Sequence, residues 1–140
     1  MKIVVNDVKG KQSYQREVPK DKEGALVGRK IGEKVEGGIV GLAGYALQIT
    51  GGSDVAGFPM RKDVPGQKKV KVVTGRGVGL RRARKGTKYA KNVSGNTIAA
   101  GTAQVNAKIV EYGPQALDAL GFVPKPKEAK AAEKAAEKKK

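Results

Sequence analysis

The segment from Gly75 to Tyr89 reads G-R-G-V-G-L-R-R-A-R-K-G-T-K-Y. Its side chains suit an anionic ligand. Arg forks bind phosphate oxygens in pairs, and interleaved glycines let backbone approach closely. The glycines alternate, so the spacing is not the dinucleotide pattern G-x-G-x-x-G. No G-K-[ST] follows to make a P-loop. What remains is a flexible, strongly basic loop. Its candidate contacts are Arg76, Arg81, Arg82, Arg84, Lys85 and Lys88, supported by Lys68, Lys69, Lys71 and Lys91.

The charge map sharpens this reading. The chain has 140 residues and a formal net charge of +16. Residues 61–92 carry twelve basic residues against one acid, Asp63, whereas residues 1–60 carry nine against seven. Charge this dense repels itself and is tolerated when a polyanion neutralises it; nucleic acid is the commonest. A merely solvated face is the plainer reading, and it suits alternating charge better than this block. A membrane surface fits poorly, because no strong apolar helical face accompanies the charge. Such a loop suits RNA shape better than base reading, since phosphate contacts position without specifying sequence. Tyr89 either stacks on a base or packs on the core.

A second segment, Thr50 to Met60, reads T-G-G-S-D-V-A-G-F-P-M. Gly51, Gly52 and Gly57 permit left-handed backbone, and Pro59 fixes φ and removes a donor. Asp54 accepts backbone N–H bonds and holds the turn, while Phe58 and Met60 pack the loop onto the core. An Asp with no second carboxylate or His beside it is a poor acid or base. Its role is therefore read as structural. A lesser possibility is that the Gly51-Gly52 amides meet a phosphate.

Absences exclude most chemistry. With no Cys there is no disulfide, thiolate nucleophile, iron–sulfur cluster or Cys-ligated zinc. With no His there is no Ser-His-Asp triad, imidazole base or His-bound metal. No catalytic residue, metal or cofactor is implied. The N-terminal apolar run, Ile3 to Val5, is too short for a signal-peptide core, and no stretch approaches the ~20 apolar residues of a membrane span. A cytoplasmic protein is expected.

These segments need a scaffold. Leu, Ile, Val and Phe make up 31 of 140 residues, just above the roughly 20% below which a highly charged chain stays disordered. The 23 Val and Ile against six Leu, with 20 Gly, point to many short strands and tight turns, as in a barrel or sandwich. Strands are expected at Lys2 to Val8, Ser13 to Val18, Tyr45 to Thr50, Val70 to Thr74, Asn96 to Ala100 and Ala103 to Tyr112. In the last, Val105, Ala107 and Ile109 alternate with polar neighbours, the period of a strand with one wet face. Gly51-Gly52 reads as the turn ending its strand. Pro19 to Gly24 reads as a charged loop and Gly75 to Asn92 as an extended one. Val27, Ile31 and Val35 repeat every four residues, which suggests a short helix over Leu26 to Glu36 despite Gly28 and Gly32. Pro114 to Leu120 reads as a second short helix, with Pro at its start and Gly121 at its end. Residues 125–140 contain only Lys, Glu, Ala and one Pro, as in a flexible, transiently helical tail.

The string Tyr45 to Met60, Y-A-L-Q-I-T-G-G-S-D-V-A-G-F-P-M, resembles the signature of the S-six-e family of small-subunit ribosomal proteins. That signature is a strand running into G-G-x-D-x-x-G-F-P-M, with every position filled here. The N-terminal strand, the Arg81 to Gly86 loop, and the Val93 to Ile98 and Tyr112-Gly113 segments follow in the expected order. The resemblance covers about residues 1–123, leaving 124–140 as a tail. It implies a mainly β fold, a small β-barrel-like domain with one or two short helices. It also implies a structural, noncatalytic constituent of the small ribosomal subunit. Its partners would be ribosomal RNA and neighbouring ribosomal proteins, with no membrane or small-molecule substrate, and the free chain would be monomeric. Eukaryotic members end in a long basic helix with regulatory phosphorylated serines. This tail is short and has no Ser or Thr, so that regulation is not carried over, and the short form is similar to archaeal members.

Two other functions compete with this one. A nonribosomal RNA-binding barrel, such as a translation-factor-like module or RNA chaperone, would want a stacking platform, and six aromatics supply it poorly. An enzyme acting on RNA would need acid–base groups. Only Asp54 and Asp63 lie near the basic segment, and they form no evident pair.

Overall fold

Alternating apolar positions build the sheet. The computed structural model describes residues 1–114 and Leu117. Lys2–Asp7 (β1) and Gln12–Glu17 (β2) form an antiparallel hairpin. Next come Lys20–Glu23 (α1), Lys34–Glu36 (β3), a 3-10 turn at Gly37–Ile39 and Ala46–Asp54 (β4). Lys69–Thr74 (β5), Tyr89–Ser94 (β6) and Thr102–Glu111 (β7) complete the order. Five strands make one sheet in the order β2-β1-β7-β4-β3, and β5 and β6 make a separate two-stranded ribbon.

The central strand is β7, parallel to β1 and antiparallel to β4. Its register sets Val105 beside Ile3, Ala107 beside Val5 and Ile49, and Ile109 beside Leu47. All seven side chains are buried on one face. Leu26, Leu42, Tyr45 and Ile98 cover that face from the connecting segments. At the far end the Tyr112 hydroxyl donates to Asp7 Oδ1 at 2.6 Å and accepts from the Lys9 amide, tying the chain after β7 to the first hairpin.

Three expectations are corrected. The sheets are open, so no barrel closes. Closure would need the edge strands β2 and β3 to pair, and they do not. The remaining strand pair, β5–β6, hydrogen-bonds to itself instead. The helix expected over Leu26 to Glu36 is also absent. Gly28 and Gly32 sit at φ +88° and +100°, outside helical space, and the backbone bonds outward instead. Gly28 N reaches Ile98 O, Ile31 N reaches Asn96 O and Gly32 N reaches Ile49 O, all at 2.8–2.9 Å. The helix lies just before, in α1, where a loop was expected and Pro19 precedes the first turn. Finally, Asn96 to Ala100 is not a strand and makes only an isolated bridge, Thr97 with Lys30.

Two boundaries also move. Strand β4 does not end at Gly51-Gly52 but continues to Asp54, with register shifts absorbing the irregularity. The loop expected from Gly75 to Asn92 stops short, because β6 starts at Tyr89. The helix expected at Pro114 to Leu120 and the tail from residue 124 lie outside the described residues, apart from Pro114 and Leu117.

The turn geometry separates two neighbouring apolar residues. Leu26 is buried and Val27 is 38% exposed. Leu26→Ala is expected to cost about 2–5 kcal/mol in urea unfolding, whereas Val27→Ala stays within about 0.5 kcal/mol. An equally large loss at Val27 would restore the helical stripe.

Candidate nucleic-acid interface

The basic segment becomes a ribbon with a folded tip. Strands β5 and β6 pair from Lys69–Ser94 to Thr74–Tyr89, and residues 75–88 connect them. Cross-strand partners share a face. Lys69, Lys71, Val73, Ala90 and Asn92 therefore lie on one side. Val70, Val72, Thr74, Tyr89, Lys91 and Val93 lie on the other. Lys91 is thus divided from Lys69 and Lys71, a separation that a linear reading does not show.

The tip is ordered by its own backbone. Gly77 and Leu80 exchange N–H···O bonds of 2.9 and 3.0 Å, with Gly79 at φ +90°. A Cβ on Gly79 would come within 3.4 Å of Val93 Cγ1 and 3.6 Å of Pro59 Cγ. The first part of the connection therefore folds back onto the ribbon and onto the Phe58-Pro59 segment.

All ten cations singled out in the sequence are exposed. Only Lys69 is in an ion pair among the described residues; its Nζ lies 2.5 Å from Asp54 Oδ2 and over the Phe58 ring. The acid within the segment is also internally matched. Arg61 holds Asp63 through a two-pronged contact of 2.9 and 2.6 Å and reaches Thr74 Oγ1 at 3.1 Å. The Arg61 guanidinium holds the Asp63 carboxyl below its ordinary range. Nine of the ten cations remain unmatched among the described residues, and exposed Lys62 joins them.

The Gly51–Met60 segment fastens this ribbon to the sheet. Asp54 is 8% exposed and takes the Val55 amide on Oδ1 at 2.8 Å. Its amide donates to Phe58 O, and its carbonyl accepts from Gly57 at φ +81°. Met60 N returns to Gly52 O at 2.9 Å, and Met60 is buried in the core. A Cβ on Gly52 would lie 2.5 Å from Gln104 O and 2.9 Å from Met60 Sδ, so Met60 occupies the space a side chain there would need. Gly51 meets no such obstacle. Both glycines lie inside β4 in register with β7, not in an exposed phosphate-binding turn. Ser94 N then bonds Pro59 O, and Arg61 N bonds Ser94 O, stitching the segment to the root of β6.

A further clamp was not singled out from sequence. Gly95 N, Asn96 N and Thr97 N bond the carbonyls of Lys68, Val64 and Gly66. Asn96 Oδ1 also accepts the Gly66 amide at 3.2 Å. A Cβ on Gly95 would fall 1.9 Å from Gly66 O. The G-N pair after a strand is the signal that marks it, read from sequence as the start of another strand.

Asp54 is committed to Lys69 and two backbone amides, and no group of three or more metal-ligating acids occurs among the described residues. No described helix is long and apolar enough to cross a membrane. The family model described as ribosomal protein S6e matches residues 1–121. The chain belongs to the ribosomal protein S6e family. Proteins of the S6e family are structural components of the ribosome, not enzymes. The small ribosomal subunit protein eS6 of Methanocaldococcus jannaschii is 47% identical over 85% of this chain and 88% of its own length. Its counterpart in Methanothermobacter thermautotrophicus is 40% identical over 85% and 93%. That of Methanoregula boonei is 40% identical over 99% and 96%.

The Lys69 contact holds the Asp54 carboxyl below its ordinary value of 3.8, helped by the Val55 amide. A carboxyl depressed in the folded state stabilises it above that value and ceases to as pH falls through the folded pKa. Asp54→Asn is expected to unfold at lower urea than the parent near neutral pH, with the gap closing below pH 3.8. A gap that persists in acid would mean the carboxylate charge is not the cause. Gly95→Ala is expected to lower the thermal midpoint more than Gly51→Ala, because only Gly95 faces a backbone oxygen at contact.

Proposed function

We propose that this chain is a structural constituent of the small ribosomal subunit that binds ribosomal RNA through the β5–β6 ribbon and its tip. The observation that carries this is the set of exposed cations on one two-stranded ribbon that have no ion-pair partner among the described residues, the ribbon segment's own acid being held by Arg61. A polyanion supplies the missing countercharge. Membership of the S6e family supports reading that polyanion as the RNA of the small subunit, with the chain in the cytoplasm as part of the ribosome. Neighbouring ribosomal proteins complete its partners, and the free chain is a monomer.

The division of labour follows from the geometry. Lys69 serves the anchor on Asp54, so it contributes less to RNA than Lys71 on the same face. Arg76, Arg81, Arg82, Arg84, Lys85 and Lys88 crowd the tip, where Arg forks match phosphate oxygens. These contacts position the chain on RNA rather than read its sequence.

Counter-ion release tests the reading. Binding of Z phosphates gives a slope of log affinity on log salt of about −0.7Z to −0.9Z. Replacing Arg81, Arg82, Arg84 and Lys85 together by Gln is expected to make that slope shallower by about 3 on small-subunit RNA. The same variant should leave the small-subunit peak on a density gradient at moderate salt. An unchanged slope with normal sedimentation would place the RNA contact elsewhere.

A further inference from the structure

The tip of the ribbon has a feature that phosphate binding alone does not use. Arg76, Arg81, Arg82 and Arg84 line an open hollow of about 440 Å³, together with Ala83 and Tyr89. Its volume falls within the range of nucleotide-sized ligand sites. Among the described residues no acid lines it. Tyr89 stands apart from the other tyrosines. Tyr14 and Tyr45 are buried in the core, and the Tyr112 hydroxyl bonds Asp7. Tyr89 is 43% exposed, and among the described residues its hydroxyl makes no hydrogen bond. It begins β6, opposite Thr74, where strand pairing holds its backbone.

The neighbouring hollows differ. One of about 520 Å³ behind the same tip has Arg76, Arg84, Lys85 and Lys88 but no aromatic. Another, of about 490 Å³ near the N-terminus, includes Glu17 and Glu23, which repel phosphate. The hollow beside Tyr89 brings one exposed tyrosine together with four arginines, with no carboxylate among its described lining residues.

We propose that this hollow receives a single unpaired nucleotide of the bound RNA. The base stacks on Tyr89 while the flanking phosphates lie in the Arg forks. The inference rests on the RNA-binding reading above and adds that the RNA presents a looped-out base rather than a continuous duplex. Unstacked bases are what proteins reach in RNA, because the A-form major groove excludes side chains. One aromatic makes a seat for one base, not a platform for a strand.

The test uses the full chain and two short RNA hairpins, identical except that one carries a single looped-out fluorescent purine analogue. The looped hairpin is expected to bind at least about fivefold more tightly, with its fluorescence quenched by stacking. Tyr89→Phe keeps both effects. Tyr89→Val, which retains a strand-forming residue, loses both but keeps the affinity and salt slope for the paired hairpin. Equal binding of the two hairpins by the unmodified chain, without quenching, overturns the inference while leaving phosphate binding intact. Preference and quenching retained by Tyr89→Val also overturn it. Failure to bind either hairpin at low salt overturns the RNA-binding reading itself, and the inference with it. The comparison of hairpins on the unmodified chain decides the matter even if a variant fails to fold.

Discussion

Mutual repulsion among the cations of the β5–β6 ribbon is the constraint around which this molecule is organised. A two-stranded ribbon alone is marginal in water, and like charges along it make it worse. The fold answers by tying the ribbon's root to the sheet at several points. Asp54 meets Lys69, Pro59 and Arg61 bracket Ser94, and the Gly95–Thr97 amides take carbonyls from the 64–68 loop. Each tie is short, and together they hold the root while the exposed cations remain available. The charge that destabilises the free ribbon is the same charge that favours it on a polyanion.

The Gly51–Met60 segment is the joint between the neutral and the charged parts. It begins as part of β4, turns at Gly57 and drives Met60 into the core beside Gly52. Asp54 at its centre touches both sides, since its backbone holds the turn and its carboxylate holds the ribbon. A sequence pattern with glycines and an acid resembles a ligand site. Here the glycines make room for Met60 and a turn, and the acid is a tether. The chemistry is moved outward, to side chains that the joint positions.

Membership of the ribosomal S6e family carries a structural role in the ribosome. Arg61 consumes the only acid within the basic stretch, so the surface it leaves is positive without local compensation. A surface of that kind suits a polyanionic partner that supplies the opposite charge.

Some of this was legible in the residues. The signature string identifies the family, the missing Cys and His remove most catalytic chemistry, and the charge map locates the basic segment. The period of two in Val105, Ala107 and Ile109 marks the central strand, because alternation is a local property of one strand. Other features depend on partners distant in sequence. The helix expected at Leu26 to Glu36 gave way because Gly28, Ile31 and Gly32 found backbone acceptors at Ile98, Asn96 and Ile49. Strand β6 hides in a polar, basic stretch and exists because β5 lies beside it. The sheet stays open because its edge strands, β2 and β3, do not pair, and pairing of edges is a long-range property. Composition and local pattern determined what kind of surface this protein carries. Only the tertiary structure decided which cations share a face, which are consumed internally and which ring stands free, because pairing across a sheet is set by hydrogen bonds between segments that no local pattern connects.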